Sequence, residues 1–254
     1  MSLIRSETSP LVYTFARLKR ITTGNVQTLT APTVSVMTLA AVVFDLDYTL
    51  AVPERSRQAL LDDATDAAGV RDIDREEYLD AHGDDLANET RAPIFEALLD
   101  DDDPQAVTRA YRHAIEDALV AVPGADDLLR DLRRQYRLGL LTDGPVRAQR
   151  GKLVRLGWED YFDSVVITGS LPAGKPDSRA FDAIISELGI APEATVFVGD
   201  HPDADIRGAK EAGMVAVQVL GDQYDRAPEA DAYVDRDDLT AQLQQFLCHQ
   251  TRLS

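Results

Sequence analysis

The feature that most constrains the fold is an alternation of strand-like and helix-like runs between Pro123 and Leu247. Short apolar runs rich in β-branched residues alternate with segments whose apolar residues recur at helical spacing. This alternation is typical of an α/β protein with a parallel sheet and helices on both faces. The predicted strands are 136–141, 164–168, 195–198, 215–220 and 232–234, and the predicted helices are 125–135, 145–156, 178–188, 204–212 and 239–247.

A purely helical segment precedes this alternation. No strand signal is found between Pro53 and Val122, and apolar spacing predicts helices at 56–69, 74–88, 93–99 and 104–120. Pro93 and Pro104 lie near two helix starts, where a missing N–H costs little. We therefore expect an all-helical insert at 55–120 that interrupts an α/β core of 37–54 and 121–254.

Residues 1–36 differ from the rest because they carry a net charge of about +3 in a chain of net charge −18. The uncharged stretch 21–44 contains six threonines and several other polar residues, so it is too polar for a membrane-spanning helix. We expect a loosely ordered N-terminal extension, and Met37 is an alternative start of the chain.

The charge of the chain excludes some partners. A net charge of −18 disfavours binding to nucleic acid, which needs a basic face, and docking on anionic membrane lipid. Cys248 is the single cysteine, so no intrachain disulfide forms and a reducing cytoplasm fits. We expect a monomer or homodimer that acts on a small molecule.

The acidic excess is mostly aspartate. The chain has 32 Asp against 12 Glu and 22 Arg against 4 Lys. This halophilic composition resembles that of proteins that work in concentrated salt, where screening relieves self-repulsion. Unfolding on dilution into low salt would support this hypothesis.

The first predicted strand, 42–44, runs directly into Asp45 and Asp47. Carboxylates at the end of a buried strand are costly to desolvate unless a metal or hydrogen bonds compensate them. The alternative is solvated surface, which we expect for most acidic clusters of this chain, among them 72/74, 203/205, 235/237 and the run 100–103.

Three further polar segments follow strands or open helices. Thr142, Asp143 and Gly144 end one strand before Pro145, an arrangement that suits an anion site or an ordinary strand-to-helix turn. Lys175 is one of only four lysines, and it suits either a phosphate contact or a solvated loop.

The fourth segment repeats the pattern of the first. Asp200 follows the apolar strand 195–198, and Asp205 comes five residues later. Two strand ends that carry carboxylates suit Mg²⁺, which binds few carboxylates and keeps several waters. In the same loop we interpret Asp203 as surface, and the role of His201 stays open.

Over residues 40–220 the chain resembles the haloacid dehalogenase-like (HAD) hydrolase superfamily. The resemblance is carried by four motifs in this order: DxDxT, a strand-ending threonine, a helix-opening lysine and GDxxxxD. The resemblance implies a Rossmann-like three-layer core with a small helical cap at 55–120. Residues 142–145 with five further positions are similar to the branch of nucleotidases and sugar phosphatases, although many of its members have Asn where Asp143 stands. These positions are Gln149, Lys152, Leu153 and Gly157-Trp158.

The resemblance also implies a mechanism. Asp45 is expected to attack phosphorus and become an aspartyl-phosphate, and Asp47 to act as the acid and base. Mg²⁺ is expected between Asp45, the backbone carbonyl of Asp47 and Asp200, with Asp205 supporting it. The expected phosphate-binding groups are Thr142, Asp143, Gly144 and Lys175.

Within the superfamily, the residues favour an Mg²⁺-dependent phosphatase of small phosphomonoesters. Dehalogenases usually lack the second carboxylate and the metal, and phosphonate cleavage needs a cap lysine that residues 55–120 do not contain. A phosphomutase stays open, as does a non-catalytic regulatory protein, although the set Asp45, Asp47, Thr142, Lys175 and Asp200 argues against the latter.

Overall fold

The computed structural model describes residues 38–82, 89–99 and 103–252. The extension expected at 1–36, the end of the helix expected at 74–88 and most of the acidic run 100–103 lie outside these residues. None of the described helices has both the length and the apolarity needed to cross a membrane.

A six-stranded parallel sheet forms the core and confirms the α/β fold class. Its strands are β1 (Ala41–Phe44), β4 (Arg137–Thr142), β5 (Ser164–Ile167), β6 (Thr195–Gly199), β7 (Val215–Leu220) and β8 (Ala232–Asp235). Their spatial order is β5-β4-β1-β6-β7-β8. The helices of the core are α5 (Ala125–Leu132), α6 (Val146–Leu156), α7 (Ser178–Leu188), α8 (Gly208–Glu211) and α9 (Leu239–Arg252).

The strand order reverses at the middle of the sheet. After β1 the chain adds β4 and β5 on one side, then returns to place β6 and β7 on the other side of β1. Ligands of open α/β sheets bind outside the carboxyl ends of the strands at such a switch point. Here that position lies between the ends of β1 and β6.

The sheet is covered on both faces, which explains why its strands are apolar without alternation. In β1, Val42 and Phe44 belong to one hydrophobic cluster, whereas Ala41 and Val43 belong to the other. All four residues are fully buried. Strands that are buried on both faces are read in sequence as continuous hydrophobic runs. Helices α5 and α9 contribute to the first cluster, and α7 and α8 to the second.

The helical insert has a hydrophobic cluster of its own. Its helices are α1 (Arg57–Ala68), α2 (Arg75–His82), α3 (Ala92–Leu98) and α4 (Pro104–Asp117). Tyr78, Phe95 and Tyr111 pack at its centre with ring centroids 5.5–5.9 Å apart. The Ser56 hydroxyl caps α1, and Gly69 ends it at φ 68°, a conformation that glycine adopts without strain.

A second, two-stranded sheet joins the insert to the core, and it corrects the expectation that residues 54–122 contain no strand. Strands β2 (Ala51–Pro53) and β3 (Leu119–Ala121) pair antiparallel. Hydrogen bonds from Glu54 to Ala118 and from Val122 to Leu50, both 2.8 Å, extend the pair. Three-residue strands are too short to establish a periodic pattern, and their partner is far away in sequence, so local reasoning misses them.

Candidate active site

Asp45 follows β1 at the switch point. Its backbone N–H donates to Val198 in β6 over 2.9 Å, which extends the sheet by one residue. Its carboxylate accepts a hydrogen bond from the Lys175 ammonium group over 2.7 Å. Both side chains are at least nine-tenths buried, so this charged contact lies out of bulk solvent. The first and third polar segments of the sequence therefore meet directly.

Asp200 and Asp205 bring β6 into the same cluster. One carboxylate oxygen each from Asp45, Asp200 and Asp205 lie within 4.8 Å of one another. Lys175 donates to Asp205 over 2.6 Å, and the backbone N–H of His201 donates to the second oxygen of Asp205 over 3.0 Å. All three carboxylates are buried, so Lys175 bridges two members of a compact acidic group.

The charges of this cluster do not balance. Burial raises the pKa of Asp45 well above its usual value, and Asp205 and Asp200 raise it further against the opposing effect of Lys175. Burial, followed by the charge of Asp205, raises the pKa of Asp200 to about 7. Burial alone would lower the pKa of Lys175, but the Asp205 and Asp45 carboxylates raise it well above its usual value.

The acidic cluster fits a divalent cation. Three buried carboxylates share a single lysine, and hard oxygen ligands are those that Mg²⁺ prefers. A cation at the cluster would offset the negative charge that raises the pKa of Asp45 and of Asp200. The Asp47 carboxylate is not a member of this three-carboxylate set.

Gly199 allows the close approach of Asp205. A Cβ atom at position 199 would lie 2.5 Å from the Asp205 carboxylate carbon, closer than atoms pack. We expect Gly199→Ala to displace this carboxylate and to lower the free energy of unfolding by about 1–3 kcal/mol. Denaturant unfolding measures this loss, and we expect weaker Mg²⁺ binding in calorimetry.

Gly221→Ala is the matched control for this prediction. A Cβ atom there would meet only the guanidinium end of Arg236, which can move aside in solvent. We expect its stability to stay within about 0.5 kcal/mol of the parent protein. Equal effects of both substitutions would contradict the role assigned to Gly199.

Asp47 lies beside the acidic cluster in a cationic environment. Its carboxylate accepts hydrogen bonds from Lys152, from Gln149 over 3.0 Å and from Arg57 over 3.3 Å. Burial would raise the pKa of Asp47, but Lys152 and Arg57 hold it well below its usual range. Burial also lowers the pKa of Lys152 to about 8, despite the opposing charge of Asp47.

A tight turn positions Asp47 and the residues that follow. Tyr48 has φ 62°, an unusual value for a residue with a side chain, and its N–H donates to Ala51 over 2.8 Å. Leu46 accepts hydrogen bonds from Leu50 and Ala51 over 3.0 and 3.1 Å. The buried Thr49 hydroxyl lies 3.4 Å from the Asp200 carboxylate, so the turn also contacts the acidic cluster.

Gln149 joins Asp47 to the end of β4. Its amide nitrogen lies 2.6 Å from the Thr142 hydroxyl oxygen and donates to the Asp143 carbonyl over 2.7 Å. Gly144 follows with φ 128°, a value that strongly favours glycine. Thr142 and Asp47 therefore both contact the amide nitrogen of Gln149.

The Asp143 carboxylate supports the loop that carries Lys175. It accepts hydrogen bonds from the Thr168 hydroxyl over 2.8 Å and from the Lys175 backbone N–H over 3.1 Å. Both bonds hold the segment after β5 against the end of β4. The side chain of Asp143 thus links two of the predicted phosphate-binding segments.

The loop after β6 contains His201, whose role was left open, and Asp203, which was expected at the surface. The His201 ring nitrogen Nδ1 accepts hydrogen bonds from the backbone N–H groups of Asp203 and Ala204 over 3.2 and 3.1 Å. It therefore caps the π-helical turn Pro202–Arg207, which replaces the first part of the helix expected at 204–212. Asp203 is exposed and pairs with Arg207, as expected for a surface residue.

Three side chains contact Asp47 without having been predicted to do so from the residues themselves. Gln149 and Lys152 were noted only as part of a resemblance, and Arg57 lies within the helix predicted at 56–69. Their spacing on α6, three residues apart, places Gln149 and Lys152 on one helix face, but the sequence does not say that this face meets Asp47. Both residues are only 1% exposed, which is unusual for lysine and glutamine.

Comparisons with known proteins agree with this architecture. The glyceraldehyde 3-phosphate phosphatase of Methanocaldococcus jannaschii is 35% identical over 146 residues, which are 56% of this chain and 64% of that protein. The enzyme of the same name from Methanopyrus kandleri is 32% identical over 209 residues, or 76% of this chain and 89% of that protein. The crystal structure of HAD phosphatase from Thermococcus onnurineus has a TM-score of 0.63 at 29% identity and covers 81% of this chain and 98% of that one.

The sheet topology, with buried carboxylates at the ends of β1 and β6, defines an α/β protein with a candidate site at its switch point. The family model for haloacid dehalogenase-like hydrolases matches residues 39–213, and the chain belongs to that family. The resemblance in the sequence is thereby confirmed at the level of the family. The alignment to the Methanocaldococcus jannaschii protein spans slightly less than two thirds of its length.

Proposed function

We propose that this protein is an Mg²⁺-dependent phosphatase that hydrolyses a small phosphomonoester of the cytoplasm through an aspartyl-phosphate intermediate. The observation that carries the proposal is the buried group of Asp45, Asp200, Asp205 and Lys175 at the switch point, with Asp47 beside it. The names of the relatives, two glyceraldehyde 3-phosphate phosphatases and a HAD phosphatase, support the reaction class.

Asp45 is the proposed nucleophile. Its carboxylate oxygen forms a bond to phosphorus while the bond between phosphorus and the leaving alcohol oxygen breaks. Water then attacks phosphorus, releases inorganic phosphate and regenerates the carboxylate. The covalent intermediate divides one difficult displacement into two easier ones. Lys175 holds the Asp45 carboxylate in place through its 2.7 Å contact.

Asp47 is the proposed acid and base. It gives a proton to the leaving oxygen and later takes one from the attacking water. Burial raises the pKa of Asp47, but the charges of Lys152 and Arg57 outweigh it, and the lowered pKa keeps Asp47 ionised. A phosphate dianion beside Asp47 would offset the charges of Lys152 and Arg57, which raises the pKa of Asp47 toward the value that the acid step needs.

The phosphate oxygens are proposed to bind at the end of β4 and to Lys175. The Thr142 hydroxyl and the backbone N–H groups of Asp143 and Gly144 lie at the start of the segment that leads into α6. Hydrogen-bond donors fixed in advance stabilise charge that develops in the transition state. Gln149 fixes this segment by its bonds to Thr142 and to the Asp143 carbonyl.

The residues proposed to hold Mg²⁺ are Asp45, Asp200 and the backbone carbonyl of Asp47, with Asp205 in support. The chemistry that the ion supplies is neutralisation of charge between an anionic nucleophile and an anionic phosphate. The insert at 55–120 is proposed to act as a cap that excludes water and selects the leaving group. Its residue Arg57 already contacts Asp47.

A phosphatase assay with a metal control tests the proposed function. A panel of phosphomonoesters is incubated with the purified full chain in Mg²⁺, at low and at high salt, and phosphate release is measured. We expect release that EDTA abolishes and added Mg²⁺ restores. We also expect saturating Mg²⁺ at about 100 times its Kd to stabilise the protein by about 2.7 kcal/mol.

Two variants sharpen this test. Asp200→Asn removes a proposed ligand and is expected to lose most of the stabilisation by Mg²⁺, whereas the exposed Asp203→Asn is expected to keep it. No Mg²⁺-dependent phosphate release from any compound at either salt concentration would refute the proposed function.

A further inference from the structure

A cavity of about 190 Å³ lies between the helical insert and the core. It is formed by the start of α3, one face of α4 and the first turn of α6. The residues that line it are Thr90, Arg91, Gln105, Thr108, Arg109, Arg112, Arg147 and Ala148. Four of the eight are arginines, and none is acidic. We call this space the arginine cavity.

The charges of the arginine cavity are only partly compensated by neighbours. Arg147 pairs with Glu89 over 3.2 Å, and Arg112 lies 3.8 Å from Glu116. Arg91 lies over the ring of Tyr111 at 5.8 Å. In the described part of the chain, no ion pair within 4.0 Å involves Arg91 or Arg109. Among the described residues, four guanidinium groups thus face two carboxylates.

This arrangement is unusual for this chain. Elsewhere many arginines pair with an aspartate close in sequence, as Arg55 does with Asp63 and Arg179 with Asp177. In a chain of net charge −18, neutralising an arginine is easy because acidic residues are abundant. Gathering four arginines with few carboxylates costs repulsion. A bound anion would offset that cost, since guanidinium groups bind carboxylates and phosphates through paired hydrogen bonds.

The arginine cavity is next to the candidate active site. Arg147 and Ala148 line it, and Gln149 and Lys152 on the same helix contact Asp47. Arg91, which lines the cavity, lies close enough to Lys152 for its charge to contribute to the lowered pKa of Lys152. A ligand whose phosphate lies at Asp45 can therefore extend its other end toward the arginines.

We infer that the arginine cavity binds a second anionic group of the substrate, a carboxylate or another phosphate at the end of the molecule away from the phosphate that is removed. The inference rests on the proposed function and narrows its substrate class to doubly anionic phosphomonoesters. The same guanidinium groups also suit a free inorganic anion. The two sources give different results in the experiment below.

Two matched pairs of ligands test the inference by binding. 3-Phosphoglycerate differs from glycerol 3-phosphate by a carboxylate in place of a hydroxymethyl group, and fructose 1,6-bisphosphate differs from fructose 6-phosphate by one phosphate. Titration calorimetry with the Asp45→Asn protein in Mg²⁺ measures binding without turnover. We expect the anionic member of at least one pair to bind roughly 10- to 100-fold more tightly, as charge-assisted hydrogen bonds allow.

Substitutions of arginines that line the cavity test whether these side chains cause the preference for the anionic ligand. The double variant Arg91→Gln, Arg109→Gln, made in the Asp45→Asn protein, is expected to reduce the preference to about 3-fold or less. Arg55→Gln is the matched control, because Arg55 is an exposed arginine of the insert that does not line the cavity. Thermal unfolding confirms that the variants fold, and we expect a Tm equal to or above that of the parent.

The remaining outcomes are also decisive. No preference in either pair, or an equal preference in the double variant, would overturn the inference. A third outcome is that inorganic sulfate binds the Asp45→Asn protein through the same two arginines while neither ligand pair shows a preference. This outcome would assign the cavity to a free anion and would also overturn the inference. If the parent protein releases no phosphate from any compound, the proposed function fails, and the binding preference still decides the role of the arginines.

Discussion

Replacing Asp45 with Asn is expected to lower Mg²⁺-dependent phosphate release by roughly 1,000-fold or more, which is the scale of losses when a nucleophile is removed. The amide of asparagine cannot form the aspartyl-phosphate. The fold should survive, since the substitution removes one of three crowded carboxylates and Lys175 keeps its 2.6 Å contact with Asp205. Steady-state assays measure the activity, and thermal unfolding is expected to give a Tm equal to or above that of the parent.

The control for this prediction is Asp203→Asn. Asp203 lies in the loop that carries Asp205, but its side chain is 69% exposed and pairs with Arg207. We expect its activity to stay within about 2-fold of the parent, since surface changes of this kind have small effects. Activity of Asp45→Asn near that of Asp203→Asn would remove Asp45 from the mechanism.

Replacing Lys175 with Met is expected to cause the largest loss of stability of the substitutions considered. The Lys175 ammonium group is the cation that bridges Asp45 and Asp205, and its side chain is 3% exposed. Removing one partner of a buried ion pair costs about 3–5 kcal/mol, because the other charge stays buried without compensation. Denaturant unfolding in the presence of EDTA measures the loss.

A metal titration gives this second prediction a sharper form. Without Lys175, the three carboxylates of the cluster depend more strongly on a bound cation. We therefore expect Mg²⁺ to raise the Tm of Lys175→Met by more than it raises the Tm of the parent. Lys210→Met is the matched control. Lys210 pairs with Asp231, but about a third of its side chain is exposed to solvent. We therefore expect this substitution to lower the free energy of unfolding by about 1 kcal/mol or less. Equal stabilities of the two variants in EDTA would contradict a structural role of Lys175.

The sequence predicts the ends of the core strands well because their apolar runs have a clear physical cause. In β1 and β6, each run is buried on both faces and stops where a carboxylate begins, at Asp45 and at Asp200. The carboxyl ends of parallel strands meet at one edge of a sheet, so the proximity of Asp45, Asp200 and Lys175 is expected once the sheet is accepted.

Other parts of the fold and site depend on tertiary contacts that local patterns do not contain. Strands β2 and β3 pair across about 70 residues, and each has only three residues. The contact of Lys152 with Asp47 joins residues 105 apart, and only the packing of α6 against the turn after β1 brings it about. His201 was left without a role because capping by a ring nitrogen depends on the exact path of its loop.

The pairing of β2 with β3 has a consequence for how a protein of this kind changes over evolution. The chain leaves the core at Pro53 and returns at Leu119, and these two residues are directly paired. Both ends of the insert are therefore tied together at one point of attachment. Helices within it can be lengthened, exchanged or lost without breaking a strand of the six-stranded sheet, as when new functions arise on an old scaffold. Specificity can thus diverge in one segment of the gene while the residues around Asp45 stay under separate selection.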